Sequence, residues 1–138
     1  MAGFVPNTWV ARLLEATAGK TAITADTVYA GLASALPEDP YTVTLANLTE
    51  IVYTPYARVA VPAFGAATTV SPLYITTPTQ FTFATPTADM AVPATFLFLA
   101  DAASGTVGNV RYVWPLAEPV QQRAGEPIIV PASTLIIE

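Results

Sequence analysis

Apolar and polar positions follow two different periods along this chain, and the change comes early. Trp9, Val10, Leu13 and Leu14 recur at helical spacing, while Arg12 and Glu15 fall on the other face. Pro6 followed by Asn7 or Thr8 supplies a start, and Gly19 before Lys20 supplies a left-handed stop. The spacing predicts a helix over residues 8–18. Three turns are marginal alone in water, so the apolar stripe must dock. Its surface is either the sheet of its own domain or a neighbouring subunit.

From Thr27 onward the texture is that of strands. Residues 28–32 form a short apolar run that ends at the Pro37-Glu38-Asp39-Pro40 corner. Residues 49–61 read as one strand interrupted at Pro55, at an edge or a bulge. Residues 73–75 and 80–84 follow, with Phe81 and Phe83 on one face and Thr82 on the other. The nearly continuous apolar run 94–100 predicts a central strand covered on both faces. After a turn at 101–105, residues 109–115 place Val110, Tyr112 and Trp114 on one face and Arg111 and Val113 opposite. Residues 120–122 and 127–130 read as a hairpin about a turn at 123–126, and 134–137 as a closing strand. Roughly seven or eight short strands between turn residues predict an all-β fold. The expectation is a single β-sandwich or jelly-roll-like domain with one short N-terminal α-helix. Its arm and helix occupy 1–20 and its sandwich 21–138. The 13 prolines agree, falling mostly at strand ends and corners.

Composition narrows what such a domain can do. Only 11% of residues are charged and 53% are hydrophobic, where soluble domains carry about 25% charge. Too few charges remain to coat a monomer, so part of the surface is expected to lie against other subunits. No membrane partner is expected, because the longest apolar-leaning stretch, 90–100, is broken by Pro93 and Thr95 and falls far short of the roughly 20 residues a span needs. No basic region followed by an apolar run suggests a secretory leader. A net charge of −5, with scattered basic residues, argues against nucleic acid as a partner.

The inventory of reactive groups is thin. His and Cys are absent, which removes the commonest general base, metal ligands and a thiol nucleophile. The carboxylates are dispersed; Glu38 and Asp39 are adjacent between prolines, and nothing favours a facing pair such as Glu50 with Asp101. Lys20 suits the end of a helix better than Schiff-base chemistry. Ser71 and Ser104 lack a base, and residues 105–108 lack the ending of a phosphate loop. Asp101 with Asn109 is the nearest approach to a calcium ligand set and is not claimed as one. Tyr29, Tyr41, Tyr53, Tyr56, Tyr74 and Tyr112 could line a sugar platform, but their spread favours core edges and interfaces. An Arg inside an apolar strand is costly unless paired, so Arg58 is expected at a rim beside a carboxylate, within the fold or across an interface. No catalytic, cofactor-binding or metal-ligating residue is assigned, no cofactor is implied, and the protein is expected not to be an enzyme.

Residues 49–61, Thr-Glu-Ile-Val-Tyr-Thr-Pro-Tyr-Ala-Arg-Val-Ala-Val, resemble the TE-x-x-Y-x-x-YAR-x-x-V segment of small tailed-phage virion proteins, described as tail fibre, minor tail or head decoration proteins. Further features fall in that family's order. An opening helix precedes a Val-Tyr-Ala-Gly-Leu strand and a proline corner over 28–40. A strand then enters an Asp-Ala-x-x-Gly turn over 96–105. Tyr112-Val113-Trp114-Pro115-Leu116 leads to Glu118-Pro119-Val120, Ala124-Gly125-Glu126-Pro127 and a closing 130–135 segment. The resemblance departs at Pro55 and Ser133, where Gly is frequent, and along 63–78. It implies a compact β-sandwich subunit of a phage particle without enzymatic activity.

The first expectation is a capsid decoration (cement) protein made in the host cytoplasm. It would sit on the outer capsid surface of the virion, stabilising the shell by mass action. Its partners would be the major capsid protein and itself, as a dimer or trimer. Residues 1–7 and the helix would reach the shell, and removing 1–18 would leave a soluble β domain. The alternative is a minor tail or tail-fibre-associated subunit, and a more distant one is a carbohydrate-binding module.

Overall fold

A computed structural model describes residues 3–71, 74–77, 79–132 and 136–137, with Ile136 described by its backbone alone. Helix α1 spans Asn7–Thr17, one residue earlier than expected at each end. Pro6 itself takes the N-cap position in extended backbone, and its carbonyl accepts the N–H groups of Trp9 and Val10, each at 3.0 Å. At the other end Gly19 adopts a φ of 74°. The N–H of Gly19 then reaches the Ala16 carbonyl, and that of Lys20 the Glu15 carbonyl. These two bonds form a Schellman stop, as the Gly-Lys pair implied. The apolar stripe behaves differently from expectation. Trp9 is buried, but Val10, Leu13 and Leu14 stay 37%, 42% and 65% exposed.

The strands are β1 (Tyr29–Ala35), β2 (Thr49–Glu50), β3 (Val59–Ala60), β4 (Ile75–Thr76), β5 (Phe81–Phe83), β6 (Ala94–Ala100), β7 (Val110–Val120), β8 (Ile128–Val130) and β9 (Ile136–Ile137). The fold is a small all-β domain with one short helix. Its main sheet runs β2-β1-β6-β7, with β3 also on β1, and β4-β9 and β5-β8 form two further antiparallel ladders. β6 is central, as its continuous apolar run predicted.

Both faces of β6 are covered. Leu97 and Leu99 join Ala30, Leu32 and Tyr112 in one core, which β5 and β8 close with Phe81, Phe83, Ile128 and Val130. Phe98 and Ala100 join Ala33, Val110 and Val113 in a second core on the other face, closed by Val43, Leu45, Leu48 and Phe4. Alternate residues of one strand therefore feed two cores, which is why its sequence shows no polar face. Gly31 pairs with Phe98 across the ladder, and a Cβ there would lie 2.3 Å from the Phe98 ring. Glycine is required at that close approach.

Three local expectations change. Residues 49–61 are not one strand: β2 and β3 line the same edge of β1, pairing Glu50 with Ala33 and Val59 with Ala30, and the chain between them leaves the ladder through Pro55. The interruption at an edge is thus borne out, but as an excursion rather than a kink. In β7, Leu99 pairs with Tyr112 and Ala100 with Val110, so Arg111 is an extra, bulged residue. The bulge turns Val110 away from Tyr112 and Trp114 into the second core, against the simple alternation expected. The 123–126 turn forms, with Glu126 N–H on the Arg123 carbonyl. Its flanks do not pair with each other, because β8 pairs with β5 and Gln122 bonds Met90. Leu73 and residues 134–135 of the expected strands lie outside the described residues.

The N-terminal segment is tied to the sheet. Phe4 and Val113 exchange backbone hydrogen bonds of 2.9 and 3.0 Å. Phe4 also packs against Tyr41, with ring centroids 5.0 Å apart. Phe4, Pro6 and Trp9 are all buried. Removing 1–18 would therefore uncover part of the core.

Candidate functional site

The excursion between β2 and β3 carries the signature segment, and its polar side chains converge on Glu50. Arg58 grips Glu50 with two parallel bonds, Nε to Oε1 at 2.9 Å and Nη2 to Oε2 at 2.8 Å. Its remaining donors reach the carbonyls of Ala102 (3.0 Å) and Gly105 (2.8 Å) in the turn after β6. Its guanidinium lies 5.5 Å from the Phe98 ring centroid. Tyr56 donates its hydroxyl to Glu50 Oε1 at 2.7 Å and accepts the Leu32 N–H at 3.0 Å. Burial is the main reason the Tyr56 hydroxyl is pushed far up from its ordinary pKa, and the hydrogen bond to Glu50 adds to it. Tyr53 donates to the Ala84 carbonyl at 2.7 Å and is raised by burial as well. Tyr56 packs against the first core and Arg58 lies over a ring of the second, so the cluster clamps the sheet edge from both sides. Arg58 is only 8% exposed. The expected rim position is thus corrected: its carboxylate is in the same fold, and Arg58 is buried against a half-buried Glu50 because two backbone carbonyls take further donors of the guanidinium.

A second node forms at the bulge. Arg111 stacks over Trp9, 4.5 Å from the ring centroid, and forms ion pairs with Asp26 and with Asp101, the latter at 3.7 Å. Asp101 also accepts from the Asn109 backbone N–H (2.7 Å) and side chain (2.8 Å). Burial pushes the Asp101 carboxyl up, but these hydrogen bonds and the Arg111 charge outweigh it and hold the pKa below the ordinary value. Arg111 Nε is buried without an acceptor. Beside this node an apolar groove of ≈310 Å³ is lined by Val5, Trp9, Leu13, Phe64, Leu99 and Tyr112 among others.

The remaining candidates are dispersed. Glu50 and Asp101 are engaged by different partners, Arg58 with Tyr56 and Asn109 with Arg111. Asp39 accepts from the Tyr41 N–H and starts a short turn. Lys20 and Ser71 are exposed, and Ser104 borders a cavity of ≈290 Å³ beside Arg58 and Glu50. The tyrosines split among unrelated neighbourhoods. Tyr53 meets Tyr56, Tyr112 meets Trp114, and Tyr41 meets Phe4. Sequence reasoning missed the Arg111 node, since a bulge that re-aims one side chain leaves no periodic signal. The exposed helix stripe was legible only as a stripe in need of a surface.

The family profile described as "Podophage GP4 fiber I protein gp80" matches residues 5–138. A search of curated proteins returned no match. The chain belongs to the podophage GP4 fiber I protein gp80 family and is a phage virion structural protein of fibre type.

Proposed function

We propose that, within this family, the protein is a tail-fibre-associated structural subunit that works by binding neighbouring virion components and copies of itself, without catalysis. The observation that carries this is the fibre-family match over residues 5–138. It favours the tail over the capsid surface, the reverse of the order the sequence suggested, and the partners we propose are accordingly tail components rather than the major capsid protein. Two features support an interface role. Charge is sparse over the whole chain, and α1 presents Val10, Leu13 and Leu14 to solvent. The polar cluster at Arg58 fits a brace, because its groups bind one another and the backbone of Leu32, Ala102 and Gly105.

The test is to locate the chain on purified particles by antibody labelling and cryo-electron microscopy. Density confined to the tail is expected. Copies spread over the shell lattice would overturn the tail assignment and restore capsid decoration. A screen of glycans and hydrolase substrates is expected to give neither binding nor turnover.

A further inference from the structure

We propose that the N-terminal segment, residues 3–17, exchanges between copies of this chain. Phe4, Pro6 and Trp9 of one copy then fill on a second copy the site they fill here on their own body. Three observations carry this. The segment docks through compact, self-sufficient contacts: the two-bond bridge of Phe4 with Val113, buried Phe4 and Trp9, and the stacking of Trp9 on Arg111. It is joined to β1 by residues 18–28, which lack regular structure and are exposed from 18 to 27. At full extension such a connection spans roughly 36–40 Å, enough to reach an adjacent subunit. Finally, the docked helix leaves Val10, Leu13 and Leu14 exposed.

The docking contacts are identical in the closed and exchanged forms, so their energy cancels. The balance is set by linker entropy and by any new surface that is buried. An arm on a short flexible linker competes at an effective concentration in the millimolar range. Subunits packed side by side reach comparable local concentrations, and burying the three exposed apolar side chains in a new contact between the two bodies then favours exchange. The occupant of the site is thus a second copy of this chain. The proposal does not depend on where the protein sits in the virion.

The experiment is light scattering on the full chain and on a variant lacking residues 20–25. Shortening the connection disfavours folding back, so the natural chain is expected to show a concentration-dependent monomer–dimer equilibrium and the variant to run at twice the monomer mass. A folded, monomeric variant would overturn the proposal. Should that variant not fold, a crosslink decides, since the natural chain contains no cysteine. Two differently tagged copies, one carrying Phe4→Cys and the other Val113→Cys, are refolded together and oxidised. A covalent dimer bearing both tags supports exchange. An intrachain bridge in the doubly substituted chain, with no mixed dimer, refutes it.

Discussion

Two arginines in this molecule each lie over an aromatic ring and bind a carboxylate, yet they do different work. Arg58 sits over Phe98 and Arg111 over Trp9. Arg58 ties parts of the β body to each other: its carboxylate, Glu50, lies on the preceding strand of the same sheet edge, and the Ala102 and Gly105 carbonyls of the turn after β6 take further donors. Arg111 instead joins separate pieces, namely the helix through Trp9, the connection through Asp26 and the turn through Asp101. It keeps one buried N–H without an acceptor. Arg58 thus braces the body alone, whereas Arg111 is where the N-terminal segment proposed to exchange meets that body. The contrast is between a tie within the body and a tie between the body and its N-terminal arm.

The sharpest way to break that contrast is Arg58→Met. Removing one member of a buried pair strands the other, and the cost is about 3 kcal/mol, the lower end of the usual range, because the Glu50 side chain retains 27% exposure. Urea denaturation should show the loss across the whole unfolding transition. Arg111→Met should cost less, about 1–2 kcal/mol, and should act mainly on the arm. Amide exchange in α1 should accelerate well beyond that in β6; equal protection loss in both would erase the distinction. The same variant tests the acid limb. Asp101 is held below its ordinary pKa, so its contribution is present above about pH 4 and is lost as pH falls through the folded value. Without Arg111 that folded value rises, and acid unfolding should begin at higher pH.

Tyr56→Phe should cost about 1 kcal/mol near neutrality, since the Leu32 N–H and Glu50 each lose a bond. The Tyr56 pKa is raised in the fold, so its stabilisation is complete below about pH 10 and declines as pH climbs above that value. Denaturation midpoints taken up to pH 11 should fall less steeply in the variant than in the natural chain. The smallest effect belongs to Leu14→Ser, at a residue 65% exposed. Monomer stability should stay within about 0.5 kcal/mol, while self-association measured by light scattering weakens. A large loss of monomer stability would mean that α1 is part of the body after all.

The helix with its Schellman stop, the central β6 and the alternation of β5 were legible because each depends on a short window of neighbours. Phe81 and Phe83 point inward and Thr82 outward wherever the strand is placed. The edge interruption at Pro55 was legible for the same reason, since proline removes a ladder donor. Arg58 was read as needing a carboxylate but was placed at a rim. Its burial depends on the Ala102 and Gly105 carbonyls, which arrive from another part of the chain.

By itself the sequence determined the all-β class, the single short helix, the poverty of reactive side chains and, through the 49–61 segment, a kinship with phage virion proteins. Those properties follow from local periodicity, turn chemistry and residue identity. Tertiary structure alone decided that β2 and β3 share one edge of β1, that a bulge turns Arg111 toward Trp9, and that α1 buries one aromatic ring and leaves the rest of its stripe in water. Each of these depends on which distant backbone lies alongside, and a chain read in order carries periods but not neighbours.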